Sequence, residues 1–248
     1  MSWLDLARVP EPEVMDDAGE VQAYSSASAE AYLSRIDDSF VEHAIGLIGP
    51  ASGHAVDIGC GPGQILKKLS ARLPEWKFYG VDRSLAMIRL AAEWGGKGNG
   101  SPATGSAAAK ANVHFAAGDA NSLPFGDASF DLVLCNSVLH HMRDPDRLLA
   151  EIRRIAKPNG AILVRDLRRP SRITYSLHMR WHGRHYEGLM YKLYCDSVRA
   201  AYTSEELAAM LRSAGIPGAR VFAHGSTHLG IERASGARWS GNAVHSQP

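Results

Sequence analysis

The sequence is short of most features that announce a specialised protein. Cysteine is scarce: Cys60, Cys135 and Cys195 are the only three in 248 residues, widely spaced and without a C-x-x-C pair. An odd, dispersed set excludes a disulfide framework and fits a reducing compartment. Charge of one sign is missing too. Lys and Arg number 27 against 26 Asp and Glu, a net charge of +1, so bulk electrostatics gives no support for a nucleic-acid or membrane-surface partner. No apolar run approaches the ~18–20 residues that would cross a bilayer. The start, Met1 to Arg8, lacks the basic residues and apolar run of a signal peptide. These absences lead us to expect a soluble, cytoplasmic protein without a membrane span. The rest is ordinary globular material, 45% hydrophobic and 21% charged, of a length that suits one α/β domain with a small insertion.

What the chain does contain is concentrated in one stretch, His54-Ala-Val-Asp-Ile-Gly-Cys-Gly-Pro-Gly-Gln64. An apolar strand, Ala55 to Ile58, carries a single acid, Asp57, and runs into glycines at alternate positions, Gly59, Gly61 and Gly63. Ile65, Leu66 and Leu69 follow at helical spacing, with Lys67 and Lys68 on the other side. Strand, glycine turn and helix let backbone come close to a nucleotide-like ligand. Further absences narrow that ligand. A dinucleotide fingerprint needs G-x-G-x-x-G, yet the sixth position is Gln64 counted from Gly59 and Leu66 counted from Gly61. The Gly-Lys-Ser/Thr ending of a phosphate-binding loop is missing as well. A carboxylate does not belong beside a pyrophosphate, whereas Asp57 suits a ligand carrying an amino group.

Either side of this loop the chain alternates strands and helices. Residues 1–22, with Pro10, Glu11, Pro12, Glu13, Asp16 and Asp17, read as an irregular leader. Tyr32, Ile36, Phe40, Val41, Ala44 and Ile45 then give a helical period between Ser25 and Ile48. The first helix after the loop stops near Leu73, before Pro74. Lys77–Val81 is the second strand and ends in Asp82, 23 residues past Gly59, where an acid can accept the two hydroxyls of a ribose. Ser84 is the better cap for the helix Leu85–Trp94; Met87 on that helix could lie against adenine or simply pack the core. Residues 95–111 are low-complexity and read as a surface insertion. After the third strand, Val113–Ala117, Asp119 can accept from an adenine amino group and Ala120 can offer its backbone N–H.

The fourth strand, Phe130–Cys135, runs into Asn136-Ser-Val-Leu-His-His-Met142. Open α/β sheets place ligands and chemistry at such carboxyl ends. Asp144-Pro145 begins a helix with Leu148, Leu149, Ile152 and Ile155 on one face, ended by Lys157-Pro-Asn-Gly160. Ala161–Asp166 is the fifth strand. Thr203 or Ser204 caps a final helix, Glu205–Ala214, and Arg220–His224 with Thr227–Glu232 make an antiparallel pair before a polar tail from Ala234.

Six motifs in sequence carry a family resemblance. Val56-Asp-Ile-Gly-Cys-Gly-Pro-Gly63, Gly80-Val-Asp82-x-Ser84-x-x-Met87, Gly118-Asp-Ala-x-x-Leu-Pro-Phe125, Phe130-Asp-Leu-Val133, Leu139-His-His-Met142 and Lys157-Pro-Asn-Gly160 resemble successive motifs of the class I S-adenosylmethionine-dependent methyltransferases. They are most similar to the branch that modifies small molecules, including quinones and natural products. The resemblance spans residues 54–166 and says little about 167–201. It implies an α/β fold, Rossmann-like and doubly wound, with a mostly parallel seven-stranded sheet, an N-terminal helical lid and a cap insertion before the last helix. On that plan residues 1–50 are leader and lid, 51–234 the domain with 167–201 as cap, and 235–248 a flexible tail.

The resemblance also implies S-adenosylmethionine as cofactor. Asp57 and the backbone from Gly59 through Cys60 and Gly61 to Gly63 would then hold its amino and carboxylate ends. Asp82, with Arg83 beside it, would take the ribose, and Met87, Asp119 and Ala120 the adenine. Asn136 and Ser137 would lie near the sulfonium, and Tyr24 or Tyr32 could reach in from the lid. Transfer would be direct displacement at the methyl carbon, in which the protein aligns the reactants and excludes water. His140 and His141 stand where a general base could act.

The segment 165–185 is the least determined. It holds Arg165, Arg168, Arg169, Arg172, Arg180 and Arg184, with His178, His182, His185, Tyr175 and Trp181, and Asp166 is its only acid. One reading is a cap receiving an anionic or aromatic small molecule, with arginine as carboxylate or phosphate clamp and Tyr24, Arg165, Arg168, Tyr175 and His178 as substrate residues. The other is a solvated basic loop with apolar anchors. No carboxylate or cysteine there has ligand spacing, so no metal site is expected. An RNA-modifying enzyme would use the same patch, but the neutral net charge and the lack of an appended RNA-binding module weigh against a nucleic-acid partner. A relative that binds the cofactor without transferring methyl is the main alternative. A nicotinamide dehydrogenase is disfavoured by the glycine spacing and Asp57.

Overall fold

A computed structural model describes residues 4–11, 19, 31–96 and 112–236. The expected lid residue Tyr24, the helix start at Ser25, most of the low-complexity insertion and the tail beyond 236 lie outside the described residues. The elements follow in order: α1 (Ala31–Leu47), β1 (Gly53–Ile58), α2 (Gln64–Arg72), β2 (Trp76–Asp82), α3 (Leu85–Gly96), β3 (Val113–Ala117) and β4 (Phe130–Asn136). A short 3-10 turn, Leu139–His141, leads to α4 (Pro145–Ile155), β5 (Ala156–Leu167), α5 (Tyr175–His182), α6 (Gly188–Ala200), α7 (Ser204–Ala214), β6 (Arg220–His224) and β7 (His228–Arg233).

Seven strands form one sheet in the order β3-β2-β1-β4-β5-β7-β6. The pairs β1–β2, β1–β4, β2–β3 and β4–β5 are parallel, and β7 runs antiparallel to both β5 and β6. This is the Rossmann-like, doubly wound α/β arrangement, with the winding reversed between β1 and β4. Strand alternation sorts the core into two layers. Ala55, Leu132, Leu134, Ala161 and Leu163 face α1 and α2, meeting Phe40, Val41, Ile65, Leu66 and Leu69. Val56, Val133, Cys135, Ile162 and Val164 face the other side, meeting Leu148, Leu149, Ile152 and Leu207. Both layers are buried, so the inner strands read as near-continuous apolar runs.

Helix ends follow from local chemistry. The Asp144 side chain accepts from Arg147 N at 3.2 Å and Pro145 opens α4, while Thr203 and Glu206 form a reciprocal capping box at α7. Two expectations need correction. Lys157–Gly160 is not a free helix stop but the first part of β5. The carbonyls of Lys157 and Gly160 accept from the Arg233 side chain, and Lys157 Nζ donates to both Asp131 carboxylate oxygens at 2.8 Å, so the segment is tied into the sheet. The 167–201 stretch, part of which one reading made a solvated basic loop, is largely helical, being α5 and α6. Residues 4–11, expected to be irregular, are nevertheless anchored: Val9 N donates to Arg199 O, Arg172 N to Leu4 O, and Arg8 to the carbonyls of Ala200 and His140.

Candidate active site

The carboxyl ends of β1 and β4 sit at the winding reversal, and three cavities open there. The glycine loop after β1 bounds the first. Gly59, Gly61 and Gly63 all have positive φ, at 70°, 52° and 80°. At Gly59 a Cβ would lie 2.3 Å from Val138 Cγ2, so only glycine fits. Gly59 N and Cys60 N donate to Val81 O. Asp82 ties the loop to β2, accepting from Gly61 N through Oδ2 and from Ser84 N through Oδ1, both at 2.8 Å. Ser84 Oγ in turn accepts from Met87 N, capping α3.

Around this loop lies a cleft of about 880 Å³, lined by Gly59, Gly61, Asp82, Arg83, Met87, Asp119, Ala120, Asn136, Ser137 and His141 among others. Most of the residues expected to hold a cofactor therefore share one cavity. Gly63 lines none of these spaces and instead turns the chain into α2. Cys60 borders a smaller recess of about 380 Å³ with Asp37, Asp57, Gly59, Gln64 and Asn136. Asp57 is 1% exposed, and its Oδ1 is buried without a hydrogen-bond partner. Burial, then the nearby Asp82 and Asp37 carboxylates, push its pKa up to about 8. Asp37 itself is pushed up to about 6 by burial, against the pull of Lys68 and Arg165. Asp37 escaped the sequence reading; its signal was an acid inside the apolar stripe of α1.

A second cavity of about 890 Å³ adjoins the first across Asn136, Ser137 and His141, which line both. Its other walls include Tyr32, Leu33 and Ile36 from α1, His140, Tyr186, Met190, Leu193 and Tyr194 around α6, and His228 of β7. No arginine or lysine lines it among the described residues. That corrects the expected arginine clamp. Arg165 is fully buried behind the wall, donating to Asn136 Oδ1, Ser39 Oγ and Ile36 O and lying over the Phe40 ring. Burial lowers its pKa to about 10. Arg168 is exposed and its backbone bridges towards Tyr202. His178 is buried with Nε2 3.0 Å from the Tyr194 hydroxyl, behind that wall residue, and Tyr175 packs beside it. Burial first, then His182, bring the His178 pKa down to about 4.

His140 and His141 occupy the junction. His140 is 2% exposed; its Nδ1 is 2.6 Å from Asp166 Oδ1, and its backbone N donates to Asp166 Oδ2 at 3.0 Å. Burial opposes the imidazolium, but Asp166 and then Glu11 outweigh it and raise the His140 pKa. The partner role of Asp166 was not read from sequence. Alternation along β5 turns Arg165 towards α1 and Asp166 towards the 3-10 turn, and that parity was the available signal.

Residues 56–164 match the family model described as a methyltransferase domain. That segment is therefore similar to methyltransferase domains. A demethylmenaquinone methyltransferase of Roseiflexus castenholzii is 33% identical over 121 residues, 49% of this chain and 45% of that one. One from Roseiflexus sp. is 28% identical over 179 residues, covering 67% and 68%. A methyltransferase structure from Aquifex aeolicus superposes with a TM-score of 0.57 at 22% identity, covering 79% of this chain and 87% of that one. At that identity the likeness speaks for the fold alone. The chain spans less than half the length of several curated relatives it matches.

Proposed function

We propose that this protein moves the methyl group of S-adenosylmethionine onto a small, flat, largely apolar acceptor held in the second cavity. The observation that carries this reading is the meeting of two cavities of similar size at Asn136, Ser137 and His141. The cofactor would supply a methyl group already activated by its sulfonium. The residues present fit it. An unpartnered buried carboxylate oxygen costs about 1–3 kcal/mol, and the ammonium of an amino-acid tail would answer Asp57 Oδ1. We assign the backbone of Gly59, Cys60 and Gly61 to the rest of that tail, with Gly63 shaping the turn into α2, and Asp82 to the ribose. Arg83 and Met87 would flank the ring, with Asp119 and Ala120 meeting its edge. Asn136, fixed by Arg165 Nε, and Ser137 would border the sulfur.

In the second cavity Tyr32, Tyr186 and Tyr194 offer aromatic faces, and Met190 and Leu193 offer apolar contact. An acceptor with a quinone-like or phenolic ring suits these walls, consistent with relatives named for demethylmenaquinone. The aromatic half of the expected acceptor is retained, and the anionic half finds no cationic wall. His140 and His141 would hold the acceptor's reacting atom, with Asp166 Oδ1 keeping His140 Nδ1 protonated so that Nε2 can take up a proton. The three free thiols suit a reducing compartment, and we assign the protein to the cytoplasm.

Incubation with methyl-labelled S-adenosylmethionine and a panel of phenols, quinols and cell extract tests the reading. A labelled small product is expected. Label confined to RNA or protein would overturn the acceptor class. Cofactor binding with no labelled product from any source would favour the binding-only alternative.

A further inference from the structure

The segment 4–11 brings one more acid to the junction. Glu11 accepts from Ser197 Oγ through Oε1 at 3.2 Å, and the same oxygen is 3.5 Å from His141 Nδ1. Its side chain is 7% exposed, and Oε2 is buried with no hydrogen-bond partner. One donor atom each from Glu11, His140 and His141 lie within 4.8 Å of one another. Asp166 already occupies Nδ1 of His140, which leaves Nε2 for another partner.

A plain ion pair accounts poorly for this arrangement. At 3.5 Å the Glu11–His141 contact is too long for a good hydrogen bond, and it leaves half of a buried carboxylate unanswered. Two imidazoles and one carboxylate form a familiar donor set for a divalent transition cation, with bonds of about 2.0–2.2 Å. Asp166 behind His140 is the outer-sphere carboxylate that orients and strengthens a metal-bound imidazole. Closing the three donors on one ion needs a movement of about an ångström from their present spacing.

We propose that Glu11, His140 and His141 bind a divalent transition cation of the zinc class at the wall between the two cavities. Both histidines line the second cavity, so an open coordination position would face the acceptor and hold its oxygen. The role of the ion rests on the acceptor reading above. With the ion in place, His140 Nε2 would be a ligand in place of a base, and the ion would ease the loss to solvent of the proton of a hydroxyl held on it. Binding itself does not depend on that reading.

The test uses the full chain after dialysis against EDTA. Titration with Zn²⁺, and with Co²⁺ as a spectroscopic probe, should show one equivalent, with visible d–d absorption for Co²⁺. Glu11→Gln and His141→Ala should each weaken binding by at least about 100-fold, and Asp166→Asn by about 10–100-fold. A distant control, His224→Ala, should bind as wild type. Binding well below one equivalent would overturn the site, as would equal affinity in wild type and in whichever of Glu11→Gln and His141→Ala folds. Titrating S-adenosylhomocysteine into the same samples separates the failures. Its binding without cation binding sinks only this site; cation binding without it sinks the proposed function and leaves the site standing.

Discussion

The two cavities at the β1–β4 reversal are nearly equal in size, about 880 and 890 Å³, and built in opposite ways. The cleft around the glycine loop is made of backbone and strand-end acids, its key groups each within a few residues of a strand terminus. The neighbouring cavity is made of side chains from α1, the 3-10 turn, α6 and β7, brought together only by the fold. A surface written in backbone tolerates almost no change at its glycines, whereas one written in side chains can be reshaped a residue at a time. The first suits a ligand that stays the same; the second suits an acceptor that differs between relatives.

That contrast predicts unequal responses to mutation. Gly59→Ala forces a Cβ into Val138 at a positive φ and should weaken S-adenosylhomocysteine binding by more than about 100-fold, since strain of about 1–3 kcal/mol adds to the clash. Calorimetry checks this, and wild-type affinity would break the account of the cleft. Arg165→Met removes a buried guanidinium from three acceptors. It should cost about 3 kcal/mol of stability, read as a lower melting temperature. Were it instead to leave stability intact and raise only KM for the acceptor, Arg165 would be a substrate group after all.

A third effect is set by pH. Asp57 must shed its proton to meet an ammonium, so affinity for S-adenosylhomocysteine should fall roughly tenfold per unit as pH drops below about 8. Asp57→Asn should flatten that slope at uniformly weak affinity. For the ligand-free protein the sign is reversed. The folded state holds a proton that the unfolded chain releases, so this group's contribution to stability falls as pH rises from about 4 to about 8. In the second cavity, Met190→Ala should raise acceptor KM several-fold and leave cofactor affinity alone, a loss of about 1 kcal/mol. Arg168→Ala, at an exposed position, should change stability by less than about 0.5 kcal/mol and neither affinity.

The same contrast explains what could be read in advance. Asp57, the loop glycines and Asp82 are legible because strand, turn and helix are local patterns and the chemistry sits at fixed offsets from them. The alternating β-α order likewise carries the sheet. Tyr194 and His228 are not legible in this way, because their meeting depends on how α6 and β7 pack. The arginines of 165–185 misled for a related reason. Sequence registers their charge but not their direction, and β5 alternation turns Arg165 inward to Ser39 and Asn136. Glu11 and His140 are separated by most of the domain, and nothing local pairs them.

The central claim, that the loop-bounded cleft is a site for S-adenosylmethionine, is tested most directly by titrating S-adenosylhomocysteine and NAD into wild type and Asp82→Ala at pH 8. The account predicts one equivalent of S-adenosylhomocysteine and no heat from NAD in wild type, with affinity at least about tenfold weaker in Asp82→Ala, the cost of losing charged hydrogen bonds. Absence of S-adenosylhomocysteine binding in wild type, or equal affinity in the two proteins, would contradict it.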